Sequence, residues 1–435
     1  MGVYREILLN RVLTEPGKRI KDGKMKRNMG ETMGETVAAV RRIEGRREQR
    51  SALLDRARSI AAIIEADADT IERETRITRR VHDAFVDSRL IWLPLPASHG
   101  GFDADVATCI EVVEELARAD GSAGWSFFVN LAGFSGLFPF ISDETLAALY
   151  DDDDHPPVLA GQLNPAGRSE KAADGYLCSG DHGFASGSAF ANWICAAQIV
   201  HEDGRPVLDA DGLPRTTIAL LRPEEVEFRG NWNVMGLAGT SSYDFRIEPR
   251  VVPSLRMVDG SALSPLAEPL RGNAMLRMGA LIAAYALHSA CALGIAKRAL
   301  QEIAALASSK TRIGYTGKVV ESDQFLSAFA QADIEYRAAR GRLIEAFQEA
   351  EARVAAGDKL TLEDHAVLRH TGTWTHDKAG EVVAACFRWA GTTPVRNPNA
   401  LNRCMRDVLV ANSHMLFDPK TRSDAGPVLV KRWLA

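Results

Sequence analysis

The sequence predicts an α+β chain in three consecutive parts: an N-terminal helical domain, a middle antiparallel β-barrel domain and a C-terminal four-helix bundle. Three observations carry that expectation. Apolar residues recur at spacings of three and four near the start, at Leu53, Leu54, Ala57, Ile60, Ala61 and Ile64, the period of one helical face. From Pro156 to about Val252 this gives way to short β-branched or apolar runs, such as Thr216–Leu221 and Tyr243–Ile247, separated by turn signals at Asp203-Gly204 and Asp211-Gly212. From about Pro265 the helical period returns and holds to the end. At 435 residues the chain is long enough for two or three such units, and we place them at 46–155, 156–264 and 265–435.

Residues 1–45 are basic and periodically weak, with Lys18–Arg27 the most charged stretch, and are expected to form a flexible tail. A helix follows from about Glu44, then a second over Arg79–Ser88. Prolines and paired glycines make Leu90–Gly101 a loop. Asp105–Ala119 is amphipathic. Ser122–Leu137 is almost wholly apolar (Trp125, Phe127, Phe128, Leu131, Phe134), so it is expected to be buried all round or to line a pocket, with Ser122 as its N-cap. A helix over Asp143–Tyr150 runs into the acidic loop Asp151–Asp154. After the β module, an Ala-rich, nearly charge-free helix over Arg277–Ala307 has a length that implies burial inside a bundle. Three more helices are expected at Glu321–Val354, Thr361–Ala390 and Asn399–Met415.

Composition excludes several function classes. A net charge of −5 gives no electrostatic footprint for nucleic acid. Apolar runs such as Leu281–Leu287 fall short of the roughly 20 residues of a membrane span, and the start shows no secretory leader. Cys109, Cys178, Cys195, Cys291, Cys386 and Cys404 form no Cys-x-x-Cys pair and read as reduced, buried side chains of a cytoplasmic protein. His365, His370 and His376 stand five and six residues apart on one helix, so they share no face and no metal is expected there.

The densest chemical signal is Gly180–Trp193. Three glycines (Gly180, Gly183, Gly187) allow close backbone approach to a flat ligand, and Ser186 and Ser188 add hydroxyls. Phe184 and Trp193 supply aromatic rings. This stretch resembles the flavin-cradling strand of the acyl-CoA dehydrogenase superfamily, and its Phe-Ala-Ser-Gly-Ser followed by Ala and Trp is most similar to the flavin-dependent monooxygenase branch. Leu93–Gly101 resembles the Pro-x-x-x-Gly-Gly loop of the family. Asp120-Gly-Ser-Ala-Gly-Trp125 resembles a monooxygenase segment, and Arg403–Asp407 with His414 resembles the final monooxygenase helix. Gly236-Leu-Ala-Gly-Thr-Ser241 is similar to a family turn, with Ala238 in place of the usual arginine and Ser241 in place of the usual glycine.

The resemblance implies an acyl-CoA dehydrogenase-like fold that assembles as a homotetramer through its C-terminal bundle. Dehydrogenation of a thioester requires a carboxylate base. The two family positions for that base correspond to Pro398 and about Ala284, and neither neighbourhood holds an acid. The implied chemistry is therefore that of an oxygenase component. Reduced flavin (FMNH2 or FADH2) arrives from a separate NAD(P)H-dependent flavin reductase and forms a C4a-hydroperoxide with O2, and the oxygen passes to a small apolar, aromatic substrate. An acyl-CoA dehydrogenase-like flavoenzyme is the alternative. On the oxygenase reading, His414 manages the proton and Ser186, or Ser188, hydrogen-bonds flavin N5. Phe184 and Trp193 pack near the ring, and Arg312 reaches the cofactor phosphate of a neighbouring subunit. Trp125, Phe128 and Phe134 line the substrate pocket. Some members carry a second histidine on the helix after Trp125. Asn130 is the nearest polar side chain here, able to orient a substrate but unable to act as a base.

Overall fold

The computed structural model describes residues 23–150 and 155–434, with side chains from residue 44 onward. The expectations for residues 1–22 and for the loop 151–154 lie outside the described residues. The chain divides into two units at Ala52/Leu53, and the larger one, Leu53–Ala435, contains nearly all of the packed structure. Helix α1 is Gly23–Glu74, so helical backbone begins inside the stretch read as a flexible tail. Within the larger unit its buried residues are Leu53, Ala57, Ile60, Ala61, Ile64, Ala68 and Ile71, one stripe at helical spacing. Next come α2 (Arg79–Asp87), α3 (Val106–Ala119), α4 (Gly121–Leu137) and α5 (Asp143–Tyr150). The N-cap of α4 is Asp120, whose carboxylate accepts from the Ala123 N–H at 3.0 Å. Ser122, expected in that role, instead accepts from the Gly239 N–H at 3.1 Å.

The middle sheet comprises β1 (Leu159–Ala172), β2 (Gly175–Ala185), β3 (Trp193–Glu202), β4 (Arg205–Pro206), β5 (Thr216–Leu221), β6 (Glu227–Phe228), β7 (Tyr243–Pro253) and β8 (Met257–Asp259). Its strand order is β6-β7-β2-β1-β3-β5-β8, with β4 on β3. The sequence predicts an antiparallel sheet throughout; the observed one is mixed. β1 and β2 form a tight hairpin through Ala172↔Gly175. The chain then crosses from β2 through Ser186–Asn192 to the other edge of β1, where β3 pairs with it in parallel from Leu159↔Trp193. β3 reverses the direction of β2, as β1 does, so β1 and β3 lying side by side run parallel. The segment with the glycines and serines is thus the crossover itself.

The C-terminal part holds α6 (Ala274–Arg277), α7 (Ala280–Ser309), α8 (Asp323–Ala355), α9 (Leu362–Ala390), α10 (Ala400–Ala411) and α11 (Lys420–Leu434). The four expected bundle helices are α7–α10. A fifth, α11, packs on α9, because the last expected helix stops at Ala411 and a turn at Met415–Phe417 redirects the chain. Helix α7 packs against α3, α4, α8, α9 and α10. That encirclement explains an apolar stretch long enough by length and composition to cross a membrane, 78% of which is buried inside the fold.

Three regions meet at one buried knot. Asp407 on α10 accepts from the Leu237 N–H at 2.6 Å, in a turn where Leu237 holds φ 52°, a conformation that non-glycine residues avoid. Ser122 on α4 holds Gly239 of the same turn. Arg403 lies 3.5 Å from Asp120 and 2.5 Å from Asp69. A Cβ on Gly236 would lie 2.2 Å from the Arg406 carbonyl oxygen, so only glycine fits there. Burial, and secondarily the Asp120 carboxylate, push Asp407 from its ordinary 3.8 up to about 7. A carboxylate raised in this way binds a proton in the folded state that the unfolded chain releases. Its contribution to stability is therefore present below about pH 4 and is lost as pH rises through about 7. Asp407→Asn keeps an acceptor for the Leu237 N–H and removes the charge, so it should flatten this loss in denaturant titrations across that window. Asp407→Ala should destabilise by about 1–3 kcal/mol, since it leaves a buried N–H without a partner. An Asn variant with the wild-type pH profile would contradict the assignment.

Candidate active site

Trp125, one turn into α4, is the hub of the site. Its indole Nε1–H donates to Ser186 Oγ at 3.3 Å. Its ring meets Phe128 at 5.1 Å, His288 edge-on at 4.5 Å and His414 at 5.9 Å. The crossover and the C-terminal turn, 228 residues apart (414 − 186), thus converge on one side chain.

On the crossover side the hydroxyl protons can be assigned in sequence. Thr240 Oγ1 donates to the Leu237 carbonyl at 2.8 Å. Ser242 Oγ, 2.7 Å from Thr240 Oγ1, must then be the donor of that pair. Ser186 Oγ, 2.7 Å from Ser242 Oγ, donates in turn to Ser242. A serine oxygen carries one hydrogen and two lone pairs. Ser186 spends its hydrogen on Ser242 and one lone pair on Trp125, and it keeps one lone pair free to accept. Beside it Phe184 has φ 62° and a ring 64% exposed, set edge-on to Trp232 at 6.0 Å. A large apolar ring held in strained backbone at the surface is a mark of a binding site.

On the bundle side, His414 opens the turn after α10. Its Nδ1 accepts from the Leu416 N–H at 3.3 Å, so the neutral ring carries its proton on Nε2. His288 of α7 lies 4.3 Å from it, centroid to centroid, and 4.5 Å from Phe128. His376 of α9 is 6.2 Å from His288 and stacks on Phe417 at 3.9 Å. Burial pushes His414 and His376 down to about 4. It also lowers His288, with the two other imidazoles adding to the effect. The set is therefore neutral at pH 7.

Other expected residues lie elsewhere. Asn130 donates to the Leu159 and Gly187 carbonyls at 3.1 and 3.3 Å, clamping the crossover to β1. Ser188 donates to the Ser241 carbonyl at 2.9 Å. Trp193 is buried, donates to the Leu149 carbonyl at 3.2 Å and lies under Arg222 at 4.0 Å, away from Phe184. Phe134 packs with Phe138 and Tyr150, the two rings that also meet His99. Arg312 donates to the Trp389 carbonyl and lies over the Trp389 ring at 5.1 Å, binding the end of α9. Among the described residues no group of three or more His, Cys, Asp or Glu side chains is arranged to hold a metal ion.

Comparison with known proteins decides the family. The family models for the acyl-CoA dehydrogenase N-terminal and C-terminal domains match residues 47–145 and 286–419. The indole-3-acetate monooxygenase of Pseudomonas putida is 31% identical over 378 residues, covering 86% of this chain and 91% of the relative. The chain belongs to the acyl-CoA dehydrogenase superfamily. Within it, this protein stands with the flavin-dependent two-component monooxygenases, as an oxygenase component that works with reduced flavin. The oxygenase subunit HsaA of Rhodococcus jostii is 26% identical over 80% of this chain and 91% of its own length. Dibenzothiophene monooxygenase TdsC of Paenibacillus sp. A11-2, solved with FMN and indole, shares the fold at TM-score 0.73 and 20% identity, over 88% of this chain and 97% of that one.

The residues present fit a flavin. The exposed Phe184 face offers an apolar platform, and the free lone pair of Ser186 matches the N5–H that only the reduced ring carries. Two site histidines, His288 and His376, carry no local signal in the sequence. His288 stands in Ile282–Ala292, where a thioester base would have to be an acid, and His376 lies eleven residues from His365 and six from His370, too far apart along the helix to read as a pair. In histidine-labelled protein, the imidazole resonances of His414 and His376 should keep their neutral-form positions down to about pH 5. Titration near 6.5 would contradict the burial that defines the site.

Proposed function

We propose that this oxygenase component hydroxylates or otherwise oxygenates a small aromatic substrate held against Trp125 and Phe128, with Ser186 at flavin N5 and His414 as the proton-handling group. When bound, reduced flavin activates O2 and supplies one oxygen atom. The chain's own residues do the rest. Phe184 and Trp125 flank the cofactor region and exclude water, and the hydroxyl series Ser186–Ser242–Thr240 fixes the direction in which Ser186 can bond. Neutral His414, with its proton on Nε2, holds or releases a proton at that atom. The observation that carries this reading is the convergence on Trp125 of a serine from the crossover and a histidine from the bundle. The indolic substrate named for the 31% identical relative supports an aromatic, indole-sized molecule.

The reduced flavin comes, on this reading, from a separate NAD(P)H-dependent flavin reductase, as the name "oxygenase component" of related proteins implies. We further infer a cytoplasmic homotetramer built through α7–α10, and three parts bounded at 46–155, 156–264 and 265–435. Six free cysteines, all buried, suit a reducing compartment. Thioester dehydrogenation is disfavoured because neither Ile282–Ala292 nor Arg396–Asn402 holds an acid to serve as the base.

Stopped-flow mixing of the protein and reduced FMN or FADH2 with oxygenated buffer tests the reading. A transient absorbance distinct from reduced and oxidised flavin should appear and outlast free-flavin reoxidation. Ser186→Ala should shorten its life roughly tenfold or more, and His414→Asn should lower product formation by roughly 10²–10⁴ while leaving the transient. Reoxidation indistinguishable from that of free flavin, or anaerobic bleaching of oxidised flavin by an acyl-CoA, would overturn it.

A further inference from the structure

The bundle side of the site holds more proton-handling groups than an oxygen transfer requires. His288 and His376 are 4% and 2% exposed, and among the described residues His288 Nδ1 and His376 Nε2 have no hydrogen-bond partner. Buried polar atoms are almost always bonded, so two such atoms within one aromatic cluster need a reason. The state of His376 follows from Asn412. The Asn412 Nδ2–H donates to the His376 carbonyl at 3.0 Å, which turns Oδ1 toward His376 Nδ1, also at 3.0 Å. His376 is therefore protonated on Nδ1, and its buried Nε2 is a bare acceptor.

The charges around the cluster are one-sided. From α9 come His376 and Arg369, and the Arg369 guanidinium donates to the Leu416 and Met415 carbonyls at 2.7 and 3.0 Å without a carboxylate partner among the described residues. The turn contributes His414. From its own helix His288 has Tyr285 one turn away, where the charge of Arg369 is felt. Helix α4 contributes Trp125 and Phe128, which do not titrate. Asp407 on α10 acts, with Asp120, on Cys291 further along α7 and is held by the Leu237 N–H. Helix α3 meets α7 at Gly294 and at Lys297, which pairs with Glu115 at 3.0 Å, and α8 packs on α7 as well. Three imidazoles and a guanidinium thus stand together, and among the described residues none of them is paired with a carboxylate.

We infer that His288, with His376 and His414, forms the recognition site for a carboxylate on the aromatic substrate, and that the carboxylate binds together with one proton. This rests on the oxygenase reading only for the aromatic part of the ligand. The balance is simple: the substrate enters as its carboxylate, one imidazole takes a proton from solvent, and the resulting imidazolium pairs with the carboxylate. Trp125 and Phe128, at 4.5 Å from the His288 ring, would hold the aromatic ring beside it.

Isothermal titration of the FMN-loaded protein tests this with two probes, indole-3-acetate and indole, in buffers of different ionisation enthalpy. Indole-3-acetate should bind with uptake of about one proton, its Kd weakening about tenfold per pH unit between roughly pH 6 and 8, while the Kd of indole stays constant. His288→Gln should lose tenfold or more in affinity for indole-3-acetate with reduced proton uptake. An unchanged far-UV circular dichroism spectrum and thermal midpoint would show that the variant is folded. Equal, pH-independent binding of both probes by the wild-type protein would overturn the proposal without any variant, as would a His288→Gln protein that binds indole-3-acetate normally. In either case a transient still seen with reduced flavin would leave the oxygenase reading standing, whereas its absence would remove that reading independently.

Discussion

The bond from the Leu237 N–H to the Asp407 carboxylate is the constraint on which the site depends. Leu237 adopts a left-handed conformation that an L-residue takes only when surrounding structure imposes it. The same turn is gripped from α4 by Ser122 at Gly239, and it carries Thr240 and Ser242, which set the proton direction of Ser186. Asp120, the N-cap that starts α4 and so aims Trp125, lies within the same charge cluster as Arg403. Loss of the Asp407 bond would therefore disturb the start of α4, the hydroxyl series and the end of α10 together. Stability and site geometry are set by the same few buried polar atoms.

The two sides of the site handle protons in different ways. The serine-threonine side is a directional series in which each hydroxyl has its donor role fixed by the next, ending on a backbone carbonyl. Such a series holds a proton inventory constant, because no member titrates near neutral pH. The bundle side is the opposite: three imidazoles kept neutral by burial and by one another, each able to gain a proton if a counter-charge arrives. Desolvation is the first cause for all three, so entry of an anion, which reverses the electrostatic penalty, changes their state most. A fixed side facing a cofactor and a responsive side facing a substrate is a sensible division for a reaction in which the cofactor performs the difficult step.

Much of this is legible in the sequence. Helical and strand periods carry the order of the three parts, since each reflects burial of one face. Ser186, Trp125 and His414 each stand in a separate local pattern, and the fold brings them to one point. What is not legible depends on long-range geometry. The parallel pairing of β1 with β3 is a property of the crossover path, which leaves no periodic trace in either strand. Trp193 and Arg312 sit in suggestive local sequences, but the Leu149 and Trp389 carbonyls claim them. Asn130 is a polar residue on the expected helix, yet both its observed bonds go to backbone carbonyls. His288 is hidden for the opposite reason: an apolar helix context suggests core, and only the placement of α7 against α4 and the His414 turn shows the imidazole to be shared with the site.

That placement also bears on why α7 is so apolar. A 30-residue helix encircled by five others has almost no face on which a charge is tolerated. An acid at the position of His288 would face Trp125 and Phe128 without a partner and would be neutralised by burial. An imidazole is the one titratable group that can sit there uncharged at neutral pH and still accept a proton when a counter-ion comes within reach. Between Trp125, Phe128 and the other imidazoles, histidine is thus a residue that burial leaves neutral and an arriving anion can charge.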